Sequence, residues 1–133
     1  MKPYFRYFDR FLFIYILTFL GIALAEQKGD PCNNALTQIE MNLCAKQQSE
    51  KADKDINRRY RLIMQKLGEK EKALLKTAQR AWIAYRDANC KADFSLYEGG
   101  SIAPLIQFSC LEKMTTERIA ELNRIYRDFI RKR

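Results

Sequence analysis

The sequence predicts an all-α fold, a long antiparallel helical hairpin plus a short helix and a C-terminal helix, braced by two disulfides. Three observations carry this. Apolar residues recur at helical spacing over long stretches, as in Ile39, Leu43, Ala52, Ile56, Tyr60, Ile63 and Leu67. Turn-forming residues are confined to a few places, chiefly Gly68 and Glu98-Gly99-Gly100-Ser101. Four cysteines, Cys32, Cys44, Cys90 and Cys110, stand in a short chain that has no histidine. No segment alternates apolar and polar residues as a strand does, and there is no internal repeat or low-complexity stretch.

Residues 1–25 are expected to be a secretory signal peptide. Lys2, Arg6 and Arg10 give a positive start, Phe11 to Leu24 is uncharged, and Ala23-Leu24-Ala25 is a small-x-small cleavage site. The uncharged run is shorter than the ~20 residues of a membrane-spanning helix, so a cleaved leader is preferred to an anchor. No cysteine follows the run directly, so a lipid at the new amino terminus is not expected. The remaining residues, 26–133, suffice for one domain.

Within that domain, Glu26 to Pro31 is a short polar tail. Thr37-Gln38-Ile39-Glu40 fits a capping box and should start a long helix ending near Gly68. A second helix is expected from about Lys70 to Phe94 or Tyr97, with Leu74, Leu75, Ala78, Trp82, Tyr85 and Asn89 inward. Ile102 to Leu111, with Pro104 near its beginning, reads as a short helix. Thr115 or Thr116 is expected to cap a last helix with Ile119, Leu122, Ile125, Tyr126 and Phe129 as its apolar stripe.

In an exported chain the four cysteines read as two disulfides rather than a metal site, because they form no CxxC pair and no histidine accompanies them. Of the three pairings, Cys32 with Cys44 and Cys90 with Cys110 is preferred, since each bond closes a local loop. Without the leader, 21 basic residues face 15 acidic ones, a net +6. The charges are interspersed, which suits solvated helix faces better than a nucleic-acid track, and attraction to anionic glycans, lipid headgroups or cell wall is the expected consequence.

Little in the sequence carries catalysis. Histidine, the usual general base, is absent, and the cysteines are assigned to bridges. Glu40 or Asp53 facing Asp87 is the remaining carboxylate pairing, and nothing marks it as a glycosidase pair. No catalytic residue, cofactor or metal is assigned. The segment Gln79, Trp82, Tyr85, Arg86 and Asp87 has two readings. In one, Trp82 and Tyr85 fill the core against Tyr60 and Leu122, Arg86 bonds Asp53 or a loop carbonyl, and Asn57 is a satisfied buried amide. In the other, Trp82, Tyr85 and Arg86 form a binding hot spot. Core packing is preferred because this face coincides with the apolar stripe. Gly99, Gly100 and Ser101 are the partner-binding candidates, as a loop on a bridged scaffold.

From Cys32 to Leu122 the chain resembles the family named for the amino-terminal domain of the mycobacterial lysozyme inhibitor LprI. The resemblance rests on Thr37-Gln38-Ile39-Glu40-Met41-Asn42-Leu43-Cys44-Ala45, on Ala52-Asp53 with Ile56-Asn57 and Tyr60, on Ala78 through Cys90, and on Gly99-Gly100-Ser101-Ile102 with Pro104, Cys110, Thr116 and Arg118. It implies a small, all-helical, disulfide-bridged domain of the periplasm or cell surface, with lysozyme or another wall-cleaving enzyme as partner. The expected function is an exported, non-enzymatic binding domain. An envelope accessory protein binding anionic glycan or lipid, and a wall-active enzyme, are the alternatives. One physical objection accompanies the inhibitor reading: animal C-type lysozymes are strongly basic, and a +6 inhibitor meets like charge at long range.

Overall fold

The computed structural model describes residues 32–131, and the leader and polar tail lie outside them. Three helices follow one another: α1, Gln38–Met64; α2, Glu69–Ser95; α3, Ala103–Arg131. Among the described residues there is no strand, so the all-α class holds.

Local chemistry sets the helix ends. Thr37 is extended and its side chain accepts a hydrogen bond from the Glu40 backbone N–H, while the Glu40 carboxylate accepts from the N–H groups of Thr37 and Leu36 at 2.9 and 3.0 Å. This is the expected capping box, and those N–H donors hold the Glu40 carboxyl below its ordinary value of 4.5. At the other end the chain turns within four residues. Gly68 is the N-cap of α2, and Glu69 and Glu71 fill its first turn, where the helix dipole favours negative charge.

One expectation is corrected here. The short helix and the C-terminal helix are a single continuous helix, α3. Pro104 lies in its first turn, where a missing N–H costs nothing, and no proline or glycine follows. Thr115 and Thr116 do not cap a new start: the Thr115 hydroxyl receives a bond from Arg86, and Thr116 donates to Glu112 one turn back.

The chain runs up, down and up. Near the turn Leu75 packs with Ile63, and farther along Arg86 reaches Asp53, so α2 is antiparallel to α1. α3 lies parallel to α1: Asn42 bonds Ser101 at one end and Leu122 packs against Ile63 at the other. α1 packs most extensively on α3, α2 packs on α3 less, and α1 and α2 meet only sparsely.

The two halves of the bundle are held differently. Toward Gly68, Ile56, Ile63, Leu67, Leu75 and Leu122 form the buried core, with Tyr60, Trp82, Ile119, Tyr126 and Ile130 against it. Toward the other end the buried positions of α1 are Ala45, Ser49 and Ala52, small residues that let α3 approach but remove little apolar area from water. There the disulfides Cys32–Cys44 and Cys90–Cys110 brace the fold, in the expected pairing.

The inner stripe of α1 also corrects the sequence reading. Burial follows Ala45, Ser49, Ala52, Ile56 and Ile63, which turns Ile39 and Leu43 to solvent at 72% and 52% exposure. On α2, Leu74, Ala78 and Tyr85 are exposed where an inner face was expected, and on α3 so are Ile125 and Phe129.

Candidate functional site

Two features stand out. The first is a polar layer across the waist of the bundle. Arg86, whose side chain is 11% exposed, donates through Nη1 to Asp53 of α1 at 2.7 Å and to the Thr115 hydroxyl of α3 at 2.9 Å. Its Nε and Nη2 meet Asp87 at 3.0 and 2.9 Å. One guanidinium thus ties all three helices, using the planar fork that a lysine lacks. The Arg86 guanidinium lies 5.2 Å from the Trp82 ring centroid and that of Arg118 5.9 Å from it. Arg118 in turn donates to the buried Gln79 at 3.2 Å and to Glu121 at 2.6 Å.

The residues of the Gln79 to Asp87 segment are placed differently from one another. Gln79 is buried, Trp82 packs against the core and Arg86 takes Asp53, one of the two partners expected for it. Tyr85 does not fill the core and is 62% exposed. Asn57 is not a buried amide; it is exposed, and it lines a cleft of about 310 Å³ between α1 and α2 with Tyr60, Gln79, Arg80 and Trp82. The suspected carboxylates are engaged elsewhere. Asp53 and Asp87 share the Arg86 guanidinium and Glu40 serves the capping box, so none of them faces another across an open site. Among the described residues no group of His, Cys, Asp or Glu is arranged to hold a metal ion.

The second feature is the tip at the disulfide end, where α1 begins, α2 ends and α3 begins. Gly99 has φ +83°, which a residue with a side chain rarely adopts, and nothing lies within 4 Å of where its Cβ would stand. Gly100 and Ala103 close the turn through backbone bonds to Tyr97 and Gly100. The Asn42 side-chain amide donates to the Ser101 carbonyl at 2.9 Å, fastening the loop to the first turns of α1. Gly99, Gly100 and Ser101 are all exposed. At this end of the bundle six large apolar side chains are open to solvent: Leu36, Ile39, Leu43, Leu96, Tyr97 and Ile102. The loop is legible in the sequence, whereas Ile39 and Leu43 share the helical spacing of residues that are buried and are themselves exposed. The small residues Ala45, Ser49 and Ala52 at helical spacing were the available signal that the inner face lay elsewhere.

Beside the tip, between α1 and α3, a hollow of about 360 Å³ is lined by Met41, Cys44, Leu105, Ser109 and Glu112. Charge is also divided along the bundle axis. On the Gly68 side of the Asp53, Arg86 and Thr115 layer, residues 54–85 and 116–131 hold thirteen basic residues and six acidic ones. On the disulfide side, residues 32–52 and 87–114 hold four basic and six acidic ones.

These features define a class: a three-helix, doubly disulfide-braced domain with an apolar, mildly acidic tip and a cationic opposite end. Residues 31–122 match the family described as Lysozyme inhibitor LprI. The chain belongs to that family. It is also 35% identical over 116 residues to an uncharacterized protein of Rhizobium meliloti (strain 1021), an alignment covering 77% of this chain and 84% of that one. No solved structure matches.

Proposed function

We propose that this protein is an exported, non-enzymatic binding domain that inhibits a lysozyme or related wall-cleaving enzyme through its disulfide-end tip. Membership in the lysozyme inhibitor LprI family supports the partner class, and the two disulfides accord with a periplasmic or secreted setting. The observation that carries the choice of surface is that the loop 98–102, several exposed apolar side chains and a net acidic balance all lie at one end of the bundle. Leu36, Ile39, Leu43, Tyr97 and Ile102 supply a desolvating surface of the kind that forms interface centres. The hollow beside it offers an apolar wall and Glu112 to an arginine or lysine anchor from a basic enzyme.

The objection from like charge is met by the same distribution. A basic enzyme approaching the tip meets six acidic and four basic residues, while the other thirteen cations lie between the waist and the far end, about 20 to 40 Å along the helices. That is several Debye lengths at physiological salt, about 8 Å each. Orientation, rather than net charge, governs the encounter.

The test is inhibition by the oxidised protein of a panel of C-type, G-type and bacterial wall-cleaving enzymes, with Ile39→Ser/Ile102→Ser and Glu112→Lys variants alongside. Stoichiometric inhibition of one type that both variants weaken at least about tenfold is expected. Full activity of every enzyme in excess protein refutes the inhibitor reading, and inhibition that both variants leave intact refutes the tip.

A further inference from the structure

The opposite end of the bundle carries charge that the inhibitor reading does not use. Many of its cations have no ion pair or hydrogen bond among the described residues: Arg61 on α1, Lys70, Lys76 and Arg80 on α2, Arg124 and Arg127 on α3, all exposed. By contrast Arg86 and Arg118, nearer the waist, each have ion-pair partners. An accumulation of unpaired like charges on three adjacent helices raises the folding free energy through self-repulsion. It is relieved when an anionic surface neutralises it.

Large apolar side chains protrude among these cations. Leu74 is 63% exposed, Phe129 57% and Ile125 45%. Phe129 stands beside the Tyr126 ring, with centroids 6.3 Å apart. A soluble polyanion has nothing to receive such side chains. The interface of a bilayer does, because basic residues settle at the headgroup phosphates while neighbouring apolar and aromatic groups enter the acyl boundary. Among the described residues no helix is long and apolar enough to cross a membrane, so the contact is peripheral.

We propose that the Gly68 end of the bundle docks on an anionic lipid surface, with Arg61, Lys70, Arg124 and Arg127 at the phosphates and Leu74 and Phe129 in the acyl boundary. Docked this way, the acidic tip points away from the bilayer and stays open to a soluble enzyme. The two ends act independently, so failure at one leaves the other standing.

The experiment is co-sedimentation of the exported, oxidised protein with vesicles of phosphatidylcholine alone and of phosphatidylcholine mixed with phosphatidylglycerol, at two salt concentrations. Binding to the mixed vesicles only, weakened by salt, is expected. Combined Arg61→Glu, Lys70→Glu, Arg124→Glu and Arg127→Glu substitution should lower it by at least about a thousandfold, given the usual contribution of each basic residue at such a surface. Leu74→Ser/Phe129→Ser should lower it by about tenfold. These side chains are all exposed, and a circular-dichroism melt confirms that each variant is folded. Equal binding to neutral vesicles, or binding that the charge reversals leave unchanged, overturns the proposal; the latter is also what an apolar leader acting alone would give. Equal affinity for heparin, with no effect of the serine pair, overturns it in favour of a glycan. Loss of vesicle binding in Ile39→Ser/Ile102→Ser places the contact at the wrong end.

Discussion

Replacing Arg86 by alanine removes the bond that ties the three helices, and its cost follows from what each partner can recover. The side chains of Asp53 and Asp87 are 49% and 56% exposed. Freed of Arg86 they regain water, so each pairing is worth about 1 kcal/mol or less. Thr115 is 1% exposed and has no such recourse. Leaving its hydroxyl without the guanidinium donor costs about 1–3 kcal/mol. The lost stem packing and the contact with the Trp82 face add about 1 kcal/mol. Arg86→Ala should therefore cost about 3–4 kcal/mol, Arg86→Lys about half of that, and Asp87→Ala under about 1 kcal/mol. The assay is urea unfolding of the oxidised proteins followed by far-UV circular dichroism, with the slope required to stay constant. A double cycle isolates the cause: Thr115→Val should recover about 1–2 kcal/mol in the Arg86→Ala background. If Arg86→Ala is no worse than Asp87→Ala, or Thr115→Val recovers nothing, the layer is not what joins the helices.

The remaining predictions concern the core, the bridges, the helix start and the loop. Leu122→Ala should cost about 2–5 kcal/mol in the same unfolding assay, because the side chain is fully buried and its neighbours come from two other segments. Cys90→Ala/Cys110→Ala should cost about 3 kcal/mol in chain entropy, plus a packing loss because Cys90 is 1% exposed. Cys32→Ala/Cys44→Ala, closing the shorter loop, should lose close to the entropic part alone. The depressed pKa of Glu40 means that its contribution is complete above the ordinary value of 4.5 and is lost as pH falls through the lower folded value. Protection factors of the first-turn amides of α1, taken relative to the intrinsic exchange rate at each pH, should fall in acid, and Glu40→Gln should remove that dependence. Gly99→Ala should destabilise by about 1 kcal/mol through its positive φ alone, since no atom obstructs the new methyl.

How much of this was legible in the sequence depends on whether the deciding interaction is local. The capping box at Thr37 and Glu40, the turn before Glu69 and both disulfides depend on near neighbours along the chain, and each stands where expected. So does the pairing of Arg86 with Asp53, because a hairpin about Gly68 brings α2 back along α1. The buried faces were harder. A helix of 27 residues with apolar groups on several sides offers two stripes about one residue apart, roughly 100° round the axis. The choice fell to α3, which packs closely only over Ala45, Ser49 and Ala52. Ile39 and Leu43 were displaced to solvent in consequence. Thr115-Thr116 has the composition of a helix start, but the Thr115 hydroxyl is taken by a residue 29 positions away, which no local window can register. The division of charge is hidden for the same reason: the cationic end joins residues 54–85 to 116–131, and only the fold makes them neighbours.

Trp82 is the only tryptophan in the chain, and it sits against two guanidinium groups at the junction of all three helices. Its fluorescence therefore reports one place without contributions to separate. Loosening of the waist exposes the indole and moves its emission to longer wavelength, while events confined to either end leave it unchanged. A partner that only touches the tip should be silent in this signal. A partner that levers the helices apart should be visible at once, so the native protein carries its own optical gauge of whether binding deforms it.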